Sequence, residues 1–156
     1  MVKNKILLGL LFVVSVFASC KKDVFNAEEQ MKIDDKLIVD FVAKNSIPAI
    51  KHSSGLYYQI LTPGTGNFTF TGAARVSVNY EGKLLNGKVF DKSNSTVTFN
   101  LGNLIRGWQI GIPLIQKGGK IRLIIPSNLA YQNTSPSSAI PANSVLDFTI
   151  ELINVQ

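Results

Sequence analysis

The residues that ordinarily carry covalent or metal chemistry are too few and too scattered to carry it in this chain. Of its 156 residues one is cysteine, Cys20, and one is histidine, His52. A zinc-type site needs several nitrogen, sulfur or oxygen ligands, and an activated nucleophile needs a base within hydrogen-bond reach. Neither pairing can be assembled from these two residues, and no phosphate-cradling GxxxxGK[ST] loop is present. His52 stands alone between Pro48 and Gly55, in a stretch that reads as an exposed linker. The triplets at Asn67, Asn94 and Asn133 have the N-x-S/T form, but the N-terminal residues give glycosylation little weight. Any enzyme built from this sequence works without a protein nucleophile, and no metal or cofactor is expected.

Cys20 has a chemistry of its own, set by its position. Lys3 and Lys5 form a positive start, residues 6–18 are mostly apolar, and Phe17-Ala18-Ser19-Cys20 follows. That is the form of a secretory signal peptide. The apolar run is shorter than the roughly 20 residues that span a bilayer, and Lys21, Lys22 and Asp23 end it. Small Ala18 and Ser19 before the cysteine resemble a bacterial lipobox, although Phe17 stands where aliphatic residues are commoner. The resemblance implies cleavage before Cys20 and its lipidation, and two acyl chains or more would hold the protein on a bilayer. The expected divisions are a leader over residues 1–19, a lipid-anchored tether and helix over 20–54, and a folded domain over 55–156. The expected place is the bacterial cell envelope, facing the periplasm or exposed at the surface.

Charge excludes little else. The net charge is +6. Residues 21–54 are neutral, and the eight Lys/Arg of residues 55–156 are spaced singly among four Asp/Glu. Scattered cations make a solvated surface rather than a nucleic-acid patch.

The elements follow from periodicity. Asn26 is placed to cap a helix, with Glu29 three residues on as a capping-box partner. Ile33, Leu37, Ile38, Phe41 and Val42 recur at helical spacing, with Asp34, Asp35, Lys36, Asp40 and Lys44 on the other face. Ser46-Ile47-Pro48 closes the helix. Packing of this stripe on the domain behind it implies a monomer; a helix-mediated dimer is the alternative. From Gly55 onward the pattern turns to strands. Leu56 to Leu61, Arg75 to Tyr80, Val97 to Leu101, Lys120 to Ile125 and Ser144 to Val155 read as extended, and Asn86-Gly87 as a hairpin turn. Residues 107–116 can form about two helical turns. The layout is α+β, an antiparallel sheet of five to six strands with one short helix covering a face.

Ordered motifs then carry a family resemblance. Val78-Asn79-Tyr80-Glu81-Gly82-Lys83-Leu84-Leu85-Asn86-Gly87-Lys88-Val89-Phe90-Asp91 is similar to the FKBP signature V-x-Y-x-G-x-L-x-x-G-x-x-F-D. Phe99-Asn100-Leu101-Gly102, Ile105-Arg106-Gly107-Trp108, Ile125-Pro126 with Ala130-Tyr131, and Ile140-Pro141 with Leu146-Asp147-Phe148 follow at family spacing. The set resembles an FKBP-type peptidyl-prolyl cis-trans isomerase across residues 55–156. What the resemblance implies is a sheet wrapped around a short helix, and an apolar pocket floored by Trp108. The implied catalytic set is Tyr80, Phe90, Asp91, Ile105, Trp108, Tyr131 and Phe148, with Val97, Leu104 and Ile140 as further substrate-binding walls. Trp108, Phe90 and Phe148 would hold a proline ring. The Ile105 N–H and the Tyr131 hydroxyl would bond substrate carbonyls, and Asp91 would accept from a neighbour, with Tyr80 as candidate. The implied partners are proline-containing polypeptides.

Three departures bear on activity. Val97 replaces a frequent pocket aromatic, the loop between Gly102 and Ile105 is short, and the flap after Tyr131 lacks the usual glycines, with Ala142 in place of a second proline. A weakly active or inactive binding module of the same fold is the alternative these features leave open.

Overall fold

The structure is a computed structural model that describes residues 25–156. The leader expected over residues 1–19, Cys20 and the start of the expected tether lie outside the described residues. Helix α1 spans Ala27–Lys44, and the Asn26 side chain accepts from the N–H groups of Glu28 and Glu29, as its cap position requires. Seven strands follow: β1 Ile50–Lys51, β2 Tyr57–Thr62, β3 Arg75–Leu84, β4 Val89–Lys92, β5 Val97–Asn100, β6 Lys120–Ile125 and β7 Leu146–Val155. Helix α2, Arg106–Gly111, continues into a 3-10 turn at Ile112–Leu114.

The sheet is antiparallel throughout, in the order β1-β2-β6-β7-β3-β4, and β5 also pairs with β3. Long β3 serves two partners in succession: Arg75 to Val78 face β5, and Glu81 to Lys83 face β4. The sheet thus has more strands than the five to six expected, because a two-residue edge and a split partner do not register as separate periodic runs. The Asn86-Gly87 turn joins β3 to β4, with Gly87 at φ +87° and Lys88 donating its N–H to Asn86 Oδ1. A positive φ of this kind is readily adopted by glycine.

Alternation along β6 and β7 separates two cores. Ile121, Leu123, Ile125, Leu146, Phe148, Ile150 and Leu152 face inward onto Trp108, Ile112 and Ile115. Gly107 and Gly111 stand four residues apart on α2, where a Cβ would lie 2.5 Å from Ile125 and from Leu123 respectively. Their lack of a side chain lets the helix lie directly on β6. On the far side of the sheet Ile38, Tyr57, Ile124 and Val145 form a second cluster beneath α1, with Phe41 and Val42 packed against it. Burying Ile38 completely contributes about 1.5–3 kcal/mol to holding the helix in place.

The helix meets the sheet through only part of the stripe that periodicity suggests: Ile38, Phe41 and Val42 pack there, the residues before them do not. Ile33 and Leu37, expected in the buried stripe, are each 46% exposed, whereas Asp34, expected among the solvated acids, is 0% exposed. The physical reason is hydrogen bonding. Asp34 Oδ2 accepts from the Ser127 N–H at 2.7 Å and Oδ1 from Gln30 Nε2 at 2.7 Å, so a carboxylate takes an apolar residue's place. His52, expected in the open, is half-buried, and its Nδ1 accepts from the Ser54 N–H in a tight turn. Among the described residues no helix is long and apolar enough to cross a membrane, and no three His, Cys, Asp or Glu side chains gather as metal ligands.

Candidate functional site

Four elements converge at one end of the inner core. β3 supplies Tyr80 and β7 supplies Phe148, α2 supplies Trp108, and β5 supplies Phe99. Their rings meet at steep angles. Trp108 lies 5.2 Å from Tyr80 and 5.2 Å from Phe148, and 6.3 Å from Phe99, centroid to centroid. The pairs are edge-to-face, interplanar angles running from 79° to 89°, an arrangement the ring quadrupoles favour. Trp108 is buried, and its Nε1–H has no partner among the described residues. Leaving a donor unpaired costs about 1–3 kcal/mol, so ring packing rather than the N–H sets the indole's place.

Above this floor is a cavity of about 310 Å³, lined by Tyr80, Asp91, Phe99, Asn103, Leu104, Ile105, Trp108, Tyr131 and Phe148. Ile105 caps α2, and its carbonyl accepts from the N–H groups of Trp108 and Gln109. Its own N–H belongs to the helix's leading donors, which have no intrahelical acceptor. Tyr131 stands on the flap that follows a 3-10 turn at Ser127–Leu129, and 36% of it is exposed.

Polarity enters at the rim. The Tyr80 hydroxyl donates to Asp91 Oδ2 at 2.8 Å. Burial, and then that hydrogen bond to a carboxylate, push the Tyr80 phenol up to about 12. Burial also raises Tyr131, helped by the negative charge of Asp91. Both effects act in one direction: they keep the phenols protonated, as hydrogen-bond donors. Because Tyr80 holds its proton more tightly folded than unfolded, the stabilisation is complete below pH 10 and is lost as pH rises through about 12. In a pH titration followed by tyrosine ring NMR, Tyr80 is expected to ionise near 12, and in Asp91→Asn at a lower pH. Ionisation of the wild-type ring at 10 or below would contradict this assignment.

The sequence-derived set divides in two. Tyr80, Asp91, Leu104, Ile105, Trp108, Tyr131 and Phe148 all line the one cavity. Phe90, Val97 and Ile140 do not line it. Phe90 packs against Phe148, its ring 5.4 Å away and nearly perpendicular. A Cβ on Gly82 would lie within 2.8 Å of both rings, so this glycine makes room for the stack. Val97 pairs with Val78 on the sheet and packs against the main core, and Ile140 is buried in that core. Two lining residues went unassigned in the sequence. Phe99 shares its strand face with Val97, and that period of two was the available signal; Asn103 is an exposed turn residue with no distinguishing pattern.

Comparison with known proteins gives one consistent result. Residues 68–153 match the family model described as FKBP-type peptidyl-prolyl cis-trans isomerase. An FKBP-type peptidyl-prolyl cis-trans isomerase FkpA of Buchnera aphidicola subsp. Schizaphis graminum is 46% identical over 109 residues, covering 68% of this chain and 43% of that protein. A probable isomerase of this type from Haemophilus influenzae is 37% identical over 143 residues, covering 90% of this chain and 58% of that protein. The chain spans about half the length of these curated relatives. Among solved structures, a peptidyl-prolyl cis-trans isomerase from Pseudomonas syringae superposes with a TM-score of 0.72 at 33% identity, covering 85% of this chain and 98% of that one.

Proposed function

Since the chain belongs to the family of FKBP-type peptidyl-prolyl cis-trans isomerases, we propose that it accelerates X-Pro isomerisation in exported polypeptides, by binding alone. The observation that carries this reading is the ring-walled cavity over Trp108, to which Tyr80, Asp91, Asn103 and Tyr131 add a few polar groups. Peptide-bond rotation faces a barrier of about 18–20 kcal/mol from amide resonance, and X-Pro bonds exchange in tens to hundreds of seconds. The twisted transition state has lost that resonance and is less polar than the planar amide. A dry apolar pocket therefore favours the twisted form, and rate follows from differential binding with no bond to the enzyme.

In this reading Trp108 and Phe148 receive the proline ring, and Phe90 supports Phe148. The Ile105 N–H and the Tyr131 hydroxyl take substrate carbonyls. Asp91 orients the Tyr80 hydroxyl and sets polarity beside the twisting carbonyl. Leu104 adds apolar wall, while Val97 and Ile140 support the wall from the core. The domain divisions proposed are those of the sequence: leader 1–19, anchored tether and helix 20–54, isomerase domain 55–156. Lipid at Cys20 would hold the chain at the cell envelope, as a monomer.

Two experiments test these statements. In refolding of a client limited by proline isomerisation, the fragment from Lys21 is expected to speed the slow phase. A raised yield with an unchanged slow phase would identify a binding module instead. Mass spectrometry of the mature N-terminus is expected to find Cys20 as the first residue, carrying diacylglycerol; an unmodified Cys20 would remove the anchor from the account.

A further inference from the structure

Asp34 is the one fully buried carboxylate among the described residues, and it sits outside the segment that matches the family model. A buried charge is costly unless satisfied, and an apolar residue would pack α1 onto the sheet at no such cost. What Asp34 does that an apolar residue cannot is accept a hydrogen bond. Its Oδ2 takes the N–H of Ser127, 93 positions away in the chain, at 2.7 Å, and Gln30 Nε2 holds the other oxygen.

Ser127 is the root of the pocket's flap. Its carbonyl accepts from the N–H groups of Ala130, at 3.0 Å, and Gln132, at 2.8 Å, the two neighbours of Tyr131. The Gln132 carbonyl in turn accepts from the Asn143 N–H at 2.8 Å, which ties the start of the flap to its end. Gln132 and Asn143 both adopt left-handed backbone, at φ +54° and +59°. Such conformations persist in non-glycine residues where surrounding contacts over-determine them. One line of hydrogen bonds thus runs from α1 through Ser127 to both ends of the segment that presents Tyr131 to the cavity.

We propose that Asp34 is a positioning residue for the pocket: through the Ser127 N–H it fixes where the Tyr131 hydroxyl stands, making α1 part of the site. The proposal rests on the isomerase reading. It is tested only after the wild-type chain has been shown to catalyse, so a failure of that reading is seen first and separately.

The test compares Asp34→Ala, Asp34→Asn and Ile38→Ala in the full chain, by kcat/KM on an X-Pro peptide, hydrogen exchange at Ala130, Gln132 and Asn143, and unfolding midpoint. Ile38 lies one turn further along α1, is fully buried, and makes none of the Ser127 contacts. Asp34→Ala is expected to lower kcat/KM about tenfold, the scale of a sub-ångström to ångström misplacement of a binding group, and to speed exchange at the three amides. Asp34→Asn keeps an acceptor oxygen and is expected to restore most of the loss. Ile38→Ala is expected to lower the unfolding midpoint at least as far while leaving kcat/KM nearly unchanged. Retention of full kcat/KM by Asp34→Ala, or an equal fall in Ile38→Ala, would overturn the proposal. If Asp34→Ala does not fold, Ser127→Pro removes the same bond from the donor side, at a first-turn position that tolerates proline. Ser127→Pro is expected to lose about as much activity, and unchanged activity there would likewise overturn it.

Discussion

Replacing Asp91 with alanine is expected to cut kcat/KM on X-Pro peptides by about 10- to 100-fold, the worth of one hydrogen bond to a charged group at about 1.5–3 kcal/mol. The fold should hardly notice. Asp91 is exposed near the end of a short strand, and among the described residues its side chain bonds only the Tyr80 hydroxyl. Substitutions at such surface sites usually change stability by no more than about 0.5 kcal/mol. Activity and stability therefore separate at this position, which they would not if the residue merely closed a turn. Tyr80→Phe removes the other half of the pair, and the double variant is expected to lose little beyond either single one, since the two act as a unit. Full activity in both Asp91→Ala and Phe90→Ala would show that the pocket is drawn in the wrong place.

The opposite behaviour is expected at Asp147, on the far face of the same sheet. Asp147 is buried, and it receives Arg122 Nε at 2.9 Å on one oxygen and Nη2 at 2.6 Å on the other. The hydrogen bond raises the Arg122 pKa above its ordinary value, and the guanidinium lies beneath the Phe41 ring of α1. Asp147→Ala leaves that cation half-buried and unpaired. Breaking a buried pair in this way costs about 3–5 kcal/mol, and the lower end applies because the Arg122 side chain keeps 27% of its exposure. A loss of about 3 kcal/mol should appear in denaturant unfolding, with activity per folded molecule unchanged. The double variant Arg122→Met/Asp147→Leu is expected to regain most of it, because two apolar groups leave no charge to desolvate. A single-variant loss below about 0.5 kcal/mol, as for exposed ion pairs, would contradict this account.

Much of the fold was legible because its strands bury one face against α2. β3 and β7 alternate clearly, and the Asn86-Gly87 turn gives β3 its hairpin partner β4. The outer face was harder to read. Tyr57, Ile124, Val145 and Asp147 are buried there only because α1 returns to cover them. That docking includes Asp34 meeting the backbone of Ser127, a contact between distant segments that no local period encodes. Helical spacing therefore put Ile33 and Leu37 inside, and the structure leaves them half-exposed.

The site was legible to a similar depth. Seven of the residues named from motifs gather around one cavity, because β3, β4, α2 with the turn before it, the flap and β7 each bring one or more of them to it. Phe99 stands in a family motif without a role there, since alternation shows that Val97 and Phe99 share a face, not which end of β5 reaches the cavity. Phe90, expected in the wall, touches the cavity's lining through the Phe148 ring, a relation that depends on ring packing.

The most direct test of the central claim is two-dimensional exchange spectroscopy on a short peptide with a single X-Pro bond, with a small amount of the fragment from Lys21 added. The cis and trans signals, which exchange in tens to hundreds of seconds alone, are predicted to exchange far faster with the wild-type chain. In Asp91→Ala at equal concentration most of that gain is predicted to vanish. An exchange rate with the wild-type chain no faster than that of the peptide alone would contradict the claim that this pocket catalyses prolyl isomerisation.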